Sequence, residues 1–248
     1  MNRIARVATI AGAALGVAAP VIPALAQGDA KPTIAIMYFD NNVYSKDARD
    51  FDGLSKGIAD FLITEMSANP GIRLLDRGQV QKLVNEQKLV AGSPVDRETA
   101  VRIGKLLGAD HLVFGGYTAD ASGNVRIDAR AVAVEQGVVE YSERMHAKAD
   151  DVMALAARLG RRLNAGMHLP PVAARSGDAS GAAGAQQAGA PTGSSGLPIK
   201  YVVMYGRALD LADRGEKARA IEMLGAVLKE YPDFEPAIKV RARLTGGG

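Results

Sequence analysis

Gly53-Leu54-Ser55-Lys56-Gly57 has the G-x-S-x-G spacing that, in hydrolases, lifts a nucleophilic serine onto a tight turn. That chemistry needs a strand directly before the serine and a helix directly after it. Here a polar loop, 40–50, separates the motif from the nearest strand-like run, and Ser55 falls in the first turn of a helix. The motif reads as a chance match, and serine hydrolysis stands only as an alternative function. Asp50-Phe51-Asp52-Gly53 opens like a calcium loop but lacks the later ligands and the glutamate at the twelfth position, so Asp50 or Asp52 is expected to cap a helix instead. The three histidines, His111, His146 and His168, fall on different elements with no i, i+4 pairing and no cysteine to join them. His146 reads as a solvated residue on a polar strand face. Gly115-Gly116 lies inside a strand and reads as a bulge or a close backbone approach rather than a phosphate loop. Gly104-x-x-x-Gly108, with Lys105 inside it, reads as part of a helix in water. No catalytic, cofactor-binding or metal-binding residue is assigned, and no cofactor is expected.

The elements that hold these residues follow a leader. Residues 1–26 combine Arg3 and Arg6, a long Ala/Val/Ile/Leu/Gly run and Ala24-Leu25-Ala26, the pattern of a cleaved signal peptide. Export to the periplasm is expected, with the mature chain starting at Gln27. That removes ATP, NAD and nucleic acid from the usual partners. The net charge of +3 falls to +1 without the two leader arginines, and no block of like charge suggests nucleic acid. The chain has no cysteine, so neither a lipid anchor nor a disulfide is available. After Gln27 no apolar run is long enough to span a bilayer as a helix, so membrane contact is expected to be peripheral at most.

Three regions separate by composition. Residues 31–169 alternate strand-like and helix-like patterns. Residues 170–197 are Pro, Ala, Gly, Ser and Gln with few charges, a composition too poor in apolar surface to fold. Residues 198–244 are helical. In the first region Thr33–Phe39 is a short apolar strand, and Leu54, Ile58, Phe61 and Leu62 recur on one helix face. A short strand, 72–75, and helices around Val80–Val84 and Ile103–Leu107 come next. Strands 111–119, 125–134 and 138–148 follow, joined by turns at Ser122-Gly123-Asn124 and Gln136-Gly137. Val125, Ile127, Ala129, Ala131 and Ala133 alternate with Arg126, Asp128 and Arg130, so one side of that strand is buried. A helix, 150–166, closes the region. The order β-α-β-α-α-β-β-β-α predicts an α/β (α+β) fold: a mixed sheet with helices packed on one face.

This pattern resembles the CsgG family, the curli-secretion channel proteins and their smaller periplasmic, TolB-like relatives. The stretches that carry the resemblance are IAIMYFDNN (34–42), GLSKGIADFLITEMSANPGIRLLDR (53–77), QVQKLVNEQKLV (79–90), IGKLLGADHLVFGGYT (103–118) and RIDARAVAVEQGVVEYSE (126–143). The resemblance implies an envelope protein of assembly or transport. It departs from the channel in two ways. The lipidated cysteine is missing, and no paired segments show the apolar-out alternation of a membrane barrel.

Residues 201–234 resemble one tetratricopeptide (TPR) repeat, through Met204, Ala208, Leu211, Gly215, Ala220, Leu224, Val227 and Pro232, with 235–244 as a capping helix. One repeat cannot bury its own face, so it must pack on something. By analogy with such repeats, Val202, Tyr205, Leu209 and Asp213 would line a groove for a partner helix or extended peptide. The other placement buries Tyr205 and Leu209 against the first region.

Together these readings predict a non-enzymatic, exported envelope protein, a CsgG-like scaffold or adaptor for protein assembly that binds envelope proteins or peptides and could self-associate. Curli-like secretion or envelope biogenesis is the expected setting, with association at the outer membrane. An outer-membrane secretion channel subunit and an activator of a cell-wall synthase are the alternatives.

Overall fold

The computed structural model describes residues 31–44, 48–86, 95–120, 122–171 and 197–246. The expected leader, 1–26, and residues 172–196 of the expected linker lie outside them. Strand β1 is Thr33–Asn41. It is apolar on both sides, which suits a strand covered on both faces. A 3-10 turn, Ala48–Phe51, leads into helix α1, Gly53–Met66. Leu54, Ile58 and Leu62 of α1 are fully buried, each stabilising the fold by about 1.5–3 kcal/mol. Strand β2, Arg73–Leu74, and helices α2, Arg77–Glu86, and α3, Arg97–Leu107, follow. The carboxylate of Asp96 accepts the Thr99 N–H at 2.8 Å to start α3, and Gly108 ends it with φ 63°, a left-handed turn that favours glycine.

Strands β3 (His111–Ala119), β4 (Asn124–Ala133) and β5 (Val138–Lys148) form an antiparallel meander, and helix α4, Val152–Gly166, returns across the sheet. The sheet order is β2-β1-β3-β4-β5, with β1 parallel to both its neighbours. The expected mixed sheet is present. Its helices, however, occupy both faces. Ile34, Ile36, Val113, Tyr117, Ile127 and Ala131 meet α1 and α4 on one side. Ala35, Met37, Leu112 and Phe114 meet Val80 of α2 and Ile103 of α3 on the other. The reason lies in β1 and β3, which carry large apolar side chains on both sides. Arg126, Asp128 and Arg130 of β4 leave the second face uncovered there.

Two register shifts break the alternation. Between Ile36 and Phe39, β1 advances three residues while β3 advances two, from Val113 to Gly115. This bulge turns Phe39 to the same face as Ile36, where strict alternation would have placed it opposite. Gly115 lies beside it. A Cβ there would fall 2.1 Å from the Asp128 carbonyl oxygen, so the close approach expected of this glycine is real. A second shift lies between Ala131 and Val132 of β4, and both residues are buried.

The tail forms three helices: α5 (Ile199–Asp213), α6 (Lys217–Glu230) and α7 (Glu235–Gly246). They do not stand apart from the sheet layer. Val202, Tyr205, Leu224, Phe234 and Val240 belong to the same buried cluster as Leu54, Ile58 and Leu159. Leu169 and Leu197, on either side of the undescribed stretch, are buried in that cluster too. All the described residues form one compact unit.

Candidate functional site

Helices α1 and α5 meet backbone to backbone. A Cβ built on Gly206 would lie 1.7 Å from the Gly53 carbonyl oxygen, and one built on Gly53 would lie 2.1 Å from the Val203 carbonyl oxygen. No side chain fits at either position, so the crossing depends on both glycines. One turn on, Gly57 faces Val202, whose Cγ1 would lie 3.6 Å from an added Cβ. The two glycines of the G-x-S-x-G stretch are thus a helix-packing seam. Beyond the seam, the Phe61 and Tyr205 rings stack with centroids 5.7 Å apart and planes 2° from parallel. Phe234, just before α7, meets Tyr205 edge-on at 5.2 Å. The Tyr205 hydroxyl donates to Asp60 at 2.6 Å.

At the other end of the seam lies a half-buried ion network. Lys56 of α1 bridges Asp210 at 2.7 Å and Asp213 at 2.8 Å, both on α5. Arg77, at the start of α2, reaches Asp213 at 2.9 Å, and Asp60 lies 4.0 Å from it. Arg214 pairs with Asp210 at 2.8 Å. The Tyr38 hydroxyl of β1 donates to Asp213 at 2.8 Å, and the Lys56 ammonium sits 4.8 Å from the centre of the Tyr38 ring. Three cations thus face three carboxylates and four elements are tied together. Asp213 is the hub, its side chain only 10% exposed. Burial pushes the Tyr38 and Tyr205 hydroxyls above their ordinary value of 10.0, and the carboxylates they face, Asp213 and Asp60, push the same way. Burial works against the charge on Arg77, but the carboxylates of Asp213 and Asp60 facing it outweigh that and raise its pKa above the ordinary value.

A cleft of about 590 Å³ opens beside the network, lined in part by Asp40, Asn41, Arg49, Ser55, Arg207 and Asp210. Burial raises the Asp40 carboxyl above its ordinary value, opposed by the Val95 N–H that it accepts at 3.1 Å. Arg207 donates to the Arg49 carbonyl at 3.0 Å. Lys56, Asp210, Asp213 and Arg214 of this cleft are paired with one another, while Asp40 and Arg207 bond main-chain groups, an arrangement that locks α5 to α1.

Of the four residues expected to line a partner groove, Val202, Tyr205 and Leu209 are fully buried and Asp213 is the network hub. Three of them contact α1 or its charges directly, and α1 fills the place the partner helix would take. The surface is closed by the chain itself, because α1 offers two glycines for close approach and Phe61 for stacking. Neither acidic residue before α1 caps it. Asp52 holds the N-cap position with helical φ and ψ of −53° and −33°, makes no capping bond and instead accepts from Asn41 Nδ2 at 2.8 Å. His111 lies 2.5 Å from Glu140, His146 is exposed on β5, and His168 follows α4 at φ 52°. Sequence reasoning missed Lys56, Asp60, Arg77 and Asp210. The signal was present: Asp213 continues the apolar stripe of Val202, Tyr205 and Leu209, and a charge on a buried stripe needs a partner.

Residues 21–119 match the family model described as curli production assembly/transport component CsgG. This stretch is CsgG-like. The matched range ends with the last residue of β3, so the β4–β5 hairpin and the tail lie beyond it. No curated protein matches the chain in sequence. Among solved structures, the LpoB C-terminal domain from Salmonella enterica is 13% identical, covering 48% of this chain and 84% of that one, with TM-score 0.37. Lipoprotein GNA1162 from Neisseria meningitidis is 13% identical, with 53% and 96% covered and TM-score 0.40. The PelC dodecamer from Paraburkholderia phytofirmans is 10% identical, with 58% and 91% covered and TM-score 0.35. Among the described residues no helix is long and apolar enough to cross a membrane.

Proposed function

We propose that this chain is a non-enzymatic exported protein of the cell envelope, a CsgG-like scaffold or adaptor in an assembly or transport process. The observation that carries this reading is the match of residues 21–119 to the CsgG model. The leader pattern of residues 1–26 supports export. The chemistry of the seam supports a binding rather than a catalytic role. Gly53 and Gly57 are used for helix packing, Lys56 of the cleft is paired with Asp210 and Asp213, and Arg207 is bonded to the main chain. In this reading α5 and α6 form a TPR-like unit whose groove holds α1 of the same chain. Recognition of other envelope proteins then falls to the outer surfaces of the fused unit.

The test is fractionation of cells carrying the tagged chain, followed by cross-linking in intact envelopes and labelling with a serine-directed probe. The chain is expected in the periplasmic or membrane fraction, without the leader, cross-linked to envelope proteins and unlabelled at Ser55. Retention in the cytoplasm, or a covalent label on Ser55, would overturn the proposal.

A further inference from the structure

One side of the sheet is left open across β4 and β5. On that side α2 and α3 pack on Leu112, Phe114 and Val132. Past them, Arg126, Asp128 and Arg130 of β4 stand opposite His146, Arg144 and Ser142 of β5, and Asn124 stands opposite Lys148. Residues directly opposite in an antiparallel pair share a face. Arg130 also stands opposite Phe114 of β3, which fixes this face as the one that α2 and α3 cover elsewhere. The register shift of the hairpin lies beyond these pairs, between Ala131 and Val132, and leaves them unbroken. Arg130, Arg144, His146 and Lys148 are exposed.

The open face is basic. Arg126, Arg130, Arg144 and Lys148 stand against one carboxylate of these strands, Asp128, an excess of three positive charges. Residues 27–248 total only +1, so everything outside this face is net negative by two. Asp128 is shared: Arg126 donates to one of its oxygens through Nε at 2.8 Å, and Arg144 donates to the other through Nε. Both guanidiniums are thereby held over the sheet, with their terminal nitrogens turned to the forked geometry that suits phosphate oxygens. Asp120, at the end of the hairpin, is occupied by the Ser122 amide and Asn124. Alternate residues of a strand lie about 6.6–6.8 Å apart and neighbouring strands about 4.8 Å, so the cations form a plane array rather than a groove. The exposed residues of the face include no tyrosine or phenylalanine of the kind that anchors a protein–protein interface. A plane of cations without an anchor matches negative charge spread over a surface, and each Lys or Arg adds to that attraction without needing a fitted partner.

We propose that the open face of β4 and β5 docks on an anionic lipid bilayer, with Arg126, Arg130, Arg144 and Lys148 against the phosphate headgroups. The envelope reading turns on localisation, whereas this one is decided by purified chain and lipid, so either fails without the other. The test is flotation of the chain from Gln27 onward, without the apolar leader, with vesicles of phosphatidylcholine that contain or lack phosphatidylglycerol. The chain is expected on the anionic vesicles and not on the neutral ones in about 0.1 M salt. It is expected on neither in about 1 M salt, where the screening length falls from about 10 Å to about 3 Å. Arg130→Gln and Lys148→Gln, both at exposed positions, are each expected to weaken binding about fivefold. Arg158→Gln removes the same charge from an exposed position of α4, which packs on the opposite face of the sheet, and is expected to change binding by less than about twofold. A second readout leaves the charge alone. The chain has no cysteine, so Ser142→Cys on the open face and Ala165→Cys on α4 each carry a single polarity-sensitive dye. The dye at position 142 is expected to shift to shorter wavelength on anionic vesicles, and the dye at 165 is not. Absence of binding to anionic vesicles, equal losses from Arg158→Gln and Arg130→Gln, or equal dye shifts would overturn the proposal. Binding to soluble polyglutamate in place of vesicles would overturn it in favour of an acidic polypeptide.

Discussion

Replacing Gly206 by alanine adds one methyl group at the point where α5 lies on α1. That carbon would sit 1.7 Å from the Gly53 carbonyl oxygen and 2.6 Å from its carbonyl carbon, both main-chain atoms that no rotamer change can move. Real Cβ contacts do not come inside 3.0 Å, so the helices must part by about 1.3 Å along that line. A gap of about 0.5–1 Å already forfeits a quarter to a half of the dispersion attraction between facing atoms. The Phe61–Tyr205 stack and the 2.6 Å bond from Tyr205 to Asp60 would both be stretched. Overpacking of this kind costs about 1–3 kcal/mol or more, and the strained aromatic pair and charged hydrogen bond add about 1–2 kcal/mol. Alanine returns about 1 kcal/mol through its better helix propensity. A net loss of about 1–4 kcal/mol is expected, measured by urea unfolding of the full chain. Gly225, in α6, is the internal control: a Cβ there meets nothing within 4 Å, so Gly225→Ala should raise stability by up to about 1 kcal/mol. If Gly206→Ala also stabilises, or changes stability by less than about 1 kcal/mol, the close crossing is wrong.

Asp213→Ala removes the shared partner of Lys56, Arg77 and Tyr38 while leaving both cations in place, and a loss of about 3–5 kcal/mol is expected by the same unfolding assay. An effect as small as that of an exposed ion pair would show that the network is solvated. Tyr38, Tyr117 and Tyr205 all have hydroxyls raised above the ordinary 10.0 by burial, so the folded state keeps protons that the unfolded chain releases. Their contribution is complete below pH 10 and is lost as pH climbs past it, by up to about 1.4 kcal/mol per pH unit for each tyrosine. Tyr38→Phe should make that alkaline fall shallower, and a stability curve flat beyond pH 10 would contradict the burial of all three.

Much of the sheet was legible because one face of each strand meets water or a core. The alternation of Val125, Ile127, Ala129 and Ala131 with Arg126, Asp128 and Arg130 fixed the buried side of β4 before any coordinates. The apolar spacing of Leu54, Ile58, Phe61 and Leu62 did the same for α1. The bulges were not legible. A register shift needs two strands to compare, and nothing local to Met37-Tyr38-Phe39 marks the extra residue. The covering of both faces was also hidden, since the run Thr33–Phe39 is equally apolar on either side and does not say how many helices it will attract.

The groove shows the boundary most clearly. Composition and periodicity marked Val202, Tyr205 and Leu209 as an apolar stripe that had to be covered, and one helical repeat cannot cover its own face. That much follows from the sequence, because the cost of exposing such a stripe is a local property. Which surface covers it is a matter of fit between segments far apart in the chain. Gly53 against Gly206, Phe61 against Tyr205 and Lys56 against Asp213 are matches of shape and charge that exist only once the sheet has set the position of α1. Tertiary structure alone decided that α1, held in the same molecule, occupies the place where a partner helix was expected.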